Sequence, residues 1–187
     1  MSKKVKKFVV VTSNKNKLAE INQILGTKYK LSKIEVPEIQ SLDLDQIITE
    51  KAKAAFEKIK KPVLVEDISF EIQSLKGLPG PFVKFFLQRI GTEGTVKLVG
   101  NKSTKTKVTA ALGLYNGSNV KIFKGIVWGK LSKNNRGEGG FGFDKVFIPK
   151  GYKQTYAEMD PNLKNQISHR GKALQKLKEF LIKNEKN

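Results

Sequence analysis

Three groups of residues are typed and spaced for chemistry. Thr12, Ser13 and Asn14 close the apolar run FVVVT and lead into Lys15, Asn16 and Lys17. Hydroxyls, amides and two ammonium groups thus collect where a strand pattern gives way to a helical one, a set suited to holding an anion. Glu66 and Asp67 close a second apolar run, PVLVED, and Glu38 follows Pro37 at the end of another segment. Acids that offer only oxygen suit the hard cations Mg²⁺ and Mn²⁺, which also hold water and substrate phosphates. In SHR, residues 168–170, a capping serine precedes two cationic side chains in the first turn of a helix. The helix dipole disfavours positive charge there, so a bound anion or an electron-rich ring edge is expected to compensate. The nearest acid in sequence is Asp160.

Single residues add to these groups. At about 100° per residue, Lys51 lies at the edge of a helical apolar face made by Leu44, Ile48, Ala52, Ala55 and Ile59. Lys84 interrupts PFVKFF in the same way. A lysine beside a core either carries its head to water or meets an anion. GEGGFGFD is a loop whose backbone can approach a ligand closely, although it lacks the glycine spacing of a phosphate-binding P-loop. His169 is the only histidine and cysteine is absent, which excludes disulfides, thiolate metal sites and a histidine-rich zinc site. No arrangement supports a Ser-His-Asp triad.

The elements that must position these residues alternate between strand and helix patterns. KFVVVT reads as a buried strand, and NKLAEINQIL as a helix stopped by Gly26. YKLSKIEV alternates like an exposed edge strand. Asp43 or Asp45 is expected to cap the helix LDQIITEKAKAAFEKI, and PVLVED is a short strand ending in charge. GLPGP turns the chain into the helix FVKFFLQRIG, with a shorter helix around EGTVKLV. KVTAALGLYNGSNVKIFKGIVWGKL predicts two strands about Asn116-Gly117. NNRGEGGFGFDKVFI is a glycine-rich loop entering a strand, and SHRGKALQKLKEFLIK a helix capped by Ser168. The pattern predicts a mixed α/β domain with a central antiparallel hairpin.

With 187 residues the chain is expected to form one domain, spanning 1–187, in two lobes that are not independent domains. The formal charge of +19 invites an anionic partner: nucleic acid, a phosphorylated substrate or a membrane surface. Nearly all of it is lysine, however, with arginine only at 89, 136 and 170. Readers of base edges lean on arginine, so most of the charge is taken as a solvated background. No stretch approaches the roughly 18 consecutive apolar residues of a membrane span. The basic opening MSKKVKKF is followed by no signal-type apolar region, and a cytoplasmic location is expected. A basic nucleic-acid-binding module, using aromatics such as Phe143, Tyr152 and Tyr156, is the main alternative. It leaves the acids at the strand ends without a role.

Taken in order, TSNKNKL, VPEIQ, PVLVEDISF, GLPGPFVKFFL, GGFGFDKVFIP, GYKQTYAEM and ISHRGKAL resemble the inosine triphosphate pyrophosphatase family, from about residue 7 to about residue 180. The resemblance implies two α/β lobes around an elongated mixed β-sheet with flanking helices, and an active site in the cleft between lobes. It implies a homodimer that uses Mg²⁺ (or Mn²⁺) to hydrolyse ITP, dITP and XTP to the nucleoside monophosphate and pyrophosphate. A related pyrimidine-preferring pyrophosphatase is the nearer alternative, against which the Ser-His-Arg and Phe-Gly-x-Asp elements argue. The family's phosphate loop falls on Thr12, Ser13, Asn14, Lys15, Asn16 and Lys17, and its metal acids on Glu38 and Asp67. Asp67 also takes the position of proton acceptor. The remaining nucleotide contacts fall on Lys51, Ile68, Lys84, Phe141, Gly142, Phe143, Asp144, Lys164, His169 and Arg170. Two departures stand out: Ser13 replaces the usual glycine of the phosphate loop, and Ile68 replaces the usual Ser or Thr after Asp67. The lost hydroxyl must be replaced by backbone N–H groups, Ser69 or water.

Overall fold

Three consecutive valines, Val9–Val11, form β1, and the apolar run downstream forms β2, Val63–Ile72, which pairs with it in parallel. Between them lie two helices, α1 (Lys15–Leu25) and α2 (Leu44–Ile59). This computed structural model describes residues 8–32 and 34–184. Downstream come β3 (Pro79–Gly80), α3 (Val83–Val99), β4 (Lys105–Tyr115), β5 (Lys121–Leu131), β6 (Phe147–Pro149), α4 (Pro161–Ile167) and α5 (His169–Asn184). The strands make one mixed sheet in the order β1-β2-β4-β5-β6, with β3 pairing with β2. No helix of the described residues is long and apolar enough to cross a membrane.

Local chemistry accounts for the helix limits. Gly26 takes the left-handed conformation (φ 65°) that stops α1, and the Asp43 side chain accepts from the Asp45 and Gln46 amides to start α2. Gly91 (φ 65°, ψ −175°) kinks α3, so the expected two helices occur as two arms of one element.

The chain divides into two units. The first gathers the described residues through Asp67, then Ala110–Gly125 and the chain from Arg170 onward; the second holds Ile68–Thr109 and Ile126–His169. In the first, Leu44, Ile48, Ala52 and Ala55 of α2 pack on Val11, Val63, Val65 and Ala111. Gly113 of β4 has no room for a Cβ, which would collide with Ile48 and crowd Val65. In the second, Phe70, Phe143 and Phe147 form an aromatic core with Phe70 and Phe143 stacked at 4.3 Å.

Three sequence expectations need correction. YKLSKIEV forms no strand at its described positions; Lys33 lies outside them. Asn22 at the end of α1 bonds both the Tyr29 carbonyl (2.9 Å) and the Tyr29 amide (2.8 Å), so a side chain satisfies the groups a neighbouring strand would have paired. β2 does not end at Glu66-Asp67 but continues to Ile72, because Ile68, Phe70 and Ile72 are buried and the charges find partners. Helix α4 was not expected, although Asp160-Pro161 is a start signal of cap followed by proline at the first turn.

Candidate active site

In the first unit the sequence builds a capped helix start at α1. The Asn14 side chain accepts from the Asn16 amide (2.9 Å) and the Lys17 amide (3.0 Å), and Thr12 Oγ accepts from the Asn14 amide (3.2 Å). Asn14 is thus a cap that fixes the loop, while Ser13, Lys15 and Asn16 remain exposed. The first turn carries no acid, and its two lysines reinforce the positive end of the helix dipole.

Successive residues of a strand face opposite sides, and β2 uses this to separate its two acids. Glu66, buried (5% exposed), accepts two hydrogen bonds from Arg170 Nε and Nη2, each 2.7 Å, with the Lys17 ammonium at 3.3 Å. Arg170 also donates from Nη1 to Glu20. Burial opposes the guanidinium charge, but Glu66 and Glu20 outweigh it and push the Arg170 pKa up. The compensating charge expected at the Ser-His-Arg turn therefore comes from carboxylates remote in sequence. Glu20 was missed; its one signal was its position three residues after Lys17, on the same helix face. Arg170 is about 1% exposed and its guanidinium is committed to these acids, so the base edge anticipated for it finds the donors already used. Glu66 is equally committed, to Arg170 and Lys17.

Asp67 faces α2. Lys51 donates to Glu38, to the Glu66 carbonyl (3.2 Å) and to Asp67 Oδ2 (3.3 Å). Burial lowers and the Asp67 and Glu38 charges raise the Lys51 pKa, with a net rise. Lys51 therefore does not snorkel; it meets two acids. Glu38 keeps 47% of its side chain exposed. Among the described residues no group of three or more acids or histidines is placed to hold a metal. Two carboxylates converging on one cation nevertheless fit Mg²⁺, which is commonly bound by one or two carboxylates together with water and phosphate oxygens.

In the second unit Gly140 has φ 70°, and a Cβ there would collide with the Asp144 carboxylate. Asp144 Oδ2 accepts from the Phe141 amide (2.7 Å) and from Lys164 (2.6 Å), a pair with side chains 5% and 7% exposed. The Lys164 ammonium lies 5.1 Å from the Phe141 ring centre and 5.8 Å from that of Tyr156. Phe141 is half-buried and Gly142 exposed. Phe143, by contrast, is a core residue, and its ring packs 5.7 Å from buried His169. Tyr156 is also buried, so two of the three aromatics proposed for a nucleic-acid surface are not presented to one. Ile68 is buried, and Ser69 donates to Glu71 (3.0 Å), which leaves it committed away from the missing hydroxyl's role. Lys84 is exposed, with its head 5.8 Å from the centre of the neighbouring Phe85 ring.

Comparison with known proteins follows the same residues. The model of the Ham1 family matches residues 8–180. An inosine triphosphate pyrophosphatase of Schizosaccharomyces pombe is 40% identical over 185 residues, covering 96% of this chain and 97% of that one. A dITP/XTP pyrophosphatase of Pyrococcus horikoshii is 37% identical, covering 94% and 96%. Among solved structures, a HAM1 protein from Coxiella burnetii superposes with a TM-score of 0.82 at 25% identity, covering 94% of this chain and 98% of that one.

Proposed function

The chain belongs to the Ham1 family, and we propose that it hydrolyses the deaminated purine nucleotides ITP, dITP and XTP to the nucleoside monophosphate and pyrophosphate. The observation that carries this is that an acid-free helix start bearing Lys15 and Lys17 follows β1, whose Val11 pairs with Val65 of β2, while Asp67 further along β2 joins the Glu38–Lys51–Asp67 constellation. One group suits phosphate oxygens and the other suits a cation and a proton acceptor.

In this mechanism the Thr12–Lys17 loop takes phosphate oxygens on backbone N–H groups and ammonium heads. Lys17 and Lys51 offset the charge that builds on the leaving pyrophosphate. Asp67 orients a water toward the α-phosphorus and takes its proton as the bond to the β-phosphoryl oxygen breaks. Mg²⁺ held by Glu38 and Asp67 would supply Lewis-acid charge to the phosphate oxygens. Lys164 and His169 donate to the 6-oxo group of the base, a carbonyl of the Phe141 loop accepts from N1–H, and Phe141 covers the ring. Adenine offers a donor where these donors point, and the mismatched groups make it a poor substrate. Arg170 acts through Glu66 to position Lys17. Lys84 adds positive charge for the phosphates, and the working form is a cytoplasmic homodimer.

The test is a panel of common and deaminated triphosphates with Mg²⁺, scored separately for pyrophosphate and orthophosphate. ITP, dITP and XTP are expected to release pyrophosphate far faster than ATP or GTP. Orthophosphate release, or equal use of ATP, refutes the proposal. Sedimentation of the purified chain checks the dimer.

A further inference from the structure

The Lys51 head is held much as a metal ion would be. Its three donors meet three oxygens: a Glu38 carboxylate oxygen, Asp67 Oδ2 at 3.3 Å and the Glu66 carbonyl at 3.2 Å. That uses the full hydrogen-bonding capacity of an ammonium. The side chain is only 11% exposed, so water contributes little to holding it. The stem rises from α2, whose capped start and buried face fix the Cα while leaving the head on a flexible tether. Two of the three oxygens belong to the acids proposed above to hold the divalent cation, and the inference rests on that reading.

An ammonium and a divalent ion cannot share this small set of oxygens, because like charges a few ångströms apart repel strongly where water is scarce. We propose that Lys51 is a tethered counter-ion that keeps Glu38 and Asp67 closed to divalent metal until a polyphosphate draws its head away. In the resting protein one positive charge lies between two carboxylates. With nucleotide bound, the same charge moves to phosphate and both carboxylates become available to the dication. Metal therefore enters with the nucleotide and not before it. By reciprocity each raises the affinity of the other.

The test uses Mn²⁺ alone as probe, with the free ion counted by electron paramagnetic resonance. Without nucleotide, Lys51→Met is expected to bind Mn²⁺ at least about tenfold more tightly than the unchanged chain, within the usual range of coupling between sites. Lys53→Met removes an equal charge from an exposed lysine paired with Glu50 and is expected to leave Mn²⁺ binding unchanged. Adding a non-hydrolysable α,β-methylene triphosphate should tighten Mn²⁺ binding in the unchanged chain more than in Lys51→Met. Equal or weaker Mn²⁺ binding by Lys51→Met, or an equal gain in Lys53→Met, overturns the proposal. If the unchanged chain binds no Mn²⁺ even with the analogue, the assignment of the two acids to metal fails and the proposal with it. If it binds with the analogue but Lys51→Met shows no gain without it, only the counter-ion proposal fails. Should Lys51→Met fold poorly, Lys51→Gln supplies the same comparison.

Discussion

Arg170→Met is the most discriminating change, because the structure and the sequence expectation give it different consequences. The guanidinium is about 1% exposed and donates twice to buried Glu66 and once to Glu20. Removing it leaves Glu66 buried with Lys17 at 3.3 Å as a weaker partner. Breaking a buried pair from one side costs about 3–5 kcal/mol, a large part of a typical stability of about 5–15 kcal/mol. At this chain length that corresponds to a melting temperature lower by about 6–20 °C. Glu20 contributes less, since its side chain keeps 14% exposure and can turn toward water. The double variant Glu66→Leu/Arg170→Met replaces the pair with apolar groups and should recover about 2 kcal/mol relative to the sum of the single losses. Urea unfolding followed by circular dichroism measures all four corners of the cycle. A loss below about 1 kcal/mol for Arg170→Met, or no recovery in the double variant, refutes the account of Arg170 as an anchor. Arg170→Lys, which keeps the charge but loses the fork, separates function from fold. ITP and ATP hydrolysis should fall together; a fall confined to ITP would return the guanidinium to reading the base.

Four further outcomes are expected. Asp67→Asn should lower turnover by at least about a hundredfold at saturating Mg²⁺, the lower scale for loss of a general base, with little change in melting temperature. Lys17→Ala should raise KM for ITP, whereas Lys60→Ala, an exposed residue paired with Glu57, should not; equal losses would indicate diffuse attraction. Gly140→Ala should cost about 1–3 kcal/mol from its positive φ and the collision with Asp144, read by thermal melts. Hydrogen bonds from the Thr155 amide and hydroxyl and the charge of Arg136 hold the Glu158 carboxyl below the usual range. Its contribution is therefore present above the ordinary glutamate value and lost as pH falls through the lowered one. Glu158→Gln should flatten that part of the acid melting profile, and an unchanged slope would contradict it.

Elements that rest on local signals were legible in the sequence. The helix start at Asp43, the stop at Gly26 and the strand pair flanking Asn116-Gly117 follow from capping and turn chemistry within a few residues, although the Asn14 cap of α1 was not named. What was not legible depended on partners far along the chain. Nothing near Glu66 announces Arg170, 104 residues away, so the acid looked like a strand end instead of the buried half of an ion pair. Phe143 looked like a ring offered to a ligand because its stacking on Phe70 joins distant segments. The YKLSKIEV alternation was real, but whether an alternating segment becomes a strand depends on finding a neighbour, and Asn22 supplied the bonds instead. For the site, the ion-pair commitments of the named residues were not legible. Lys51 was placed correctly at the edge of a core, but the two acids that claim it could not be read from helical periodicity.

The separation of Glu66 from Asp67 on opposite faces of β2 bears on how the chain finds its alignment. Over Val63–Val65, where it pairs with β1, β2 is apolar on both sides, and β1 itself is three valines in a row. In that stretch a slip by one residue would bury nearly the same hydrocarbon, and there hydrophobic pattern selects weakly between the two alignments. Both acids are negative, so charge alone would also tolerate the exchange. Side-chain length and the notch at Gly113 do discriminate. A slip would offer Arg170 the shorter aspartate and Lys51 the longer glutamate, and it would move Val65 from the face where Gly113 makes room for it and for Ile48. The one position on β4 that lacks a side chain thus acts as a gauge for strand alignment. Enlarging it to alanine should produce chains that are compact and helical but misaligned, and so slow to reach the native state.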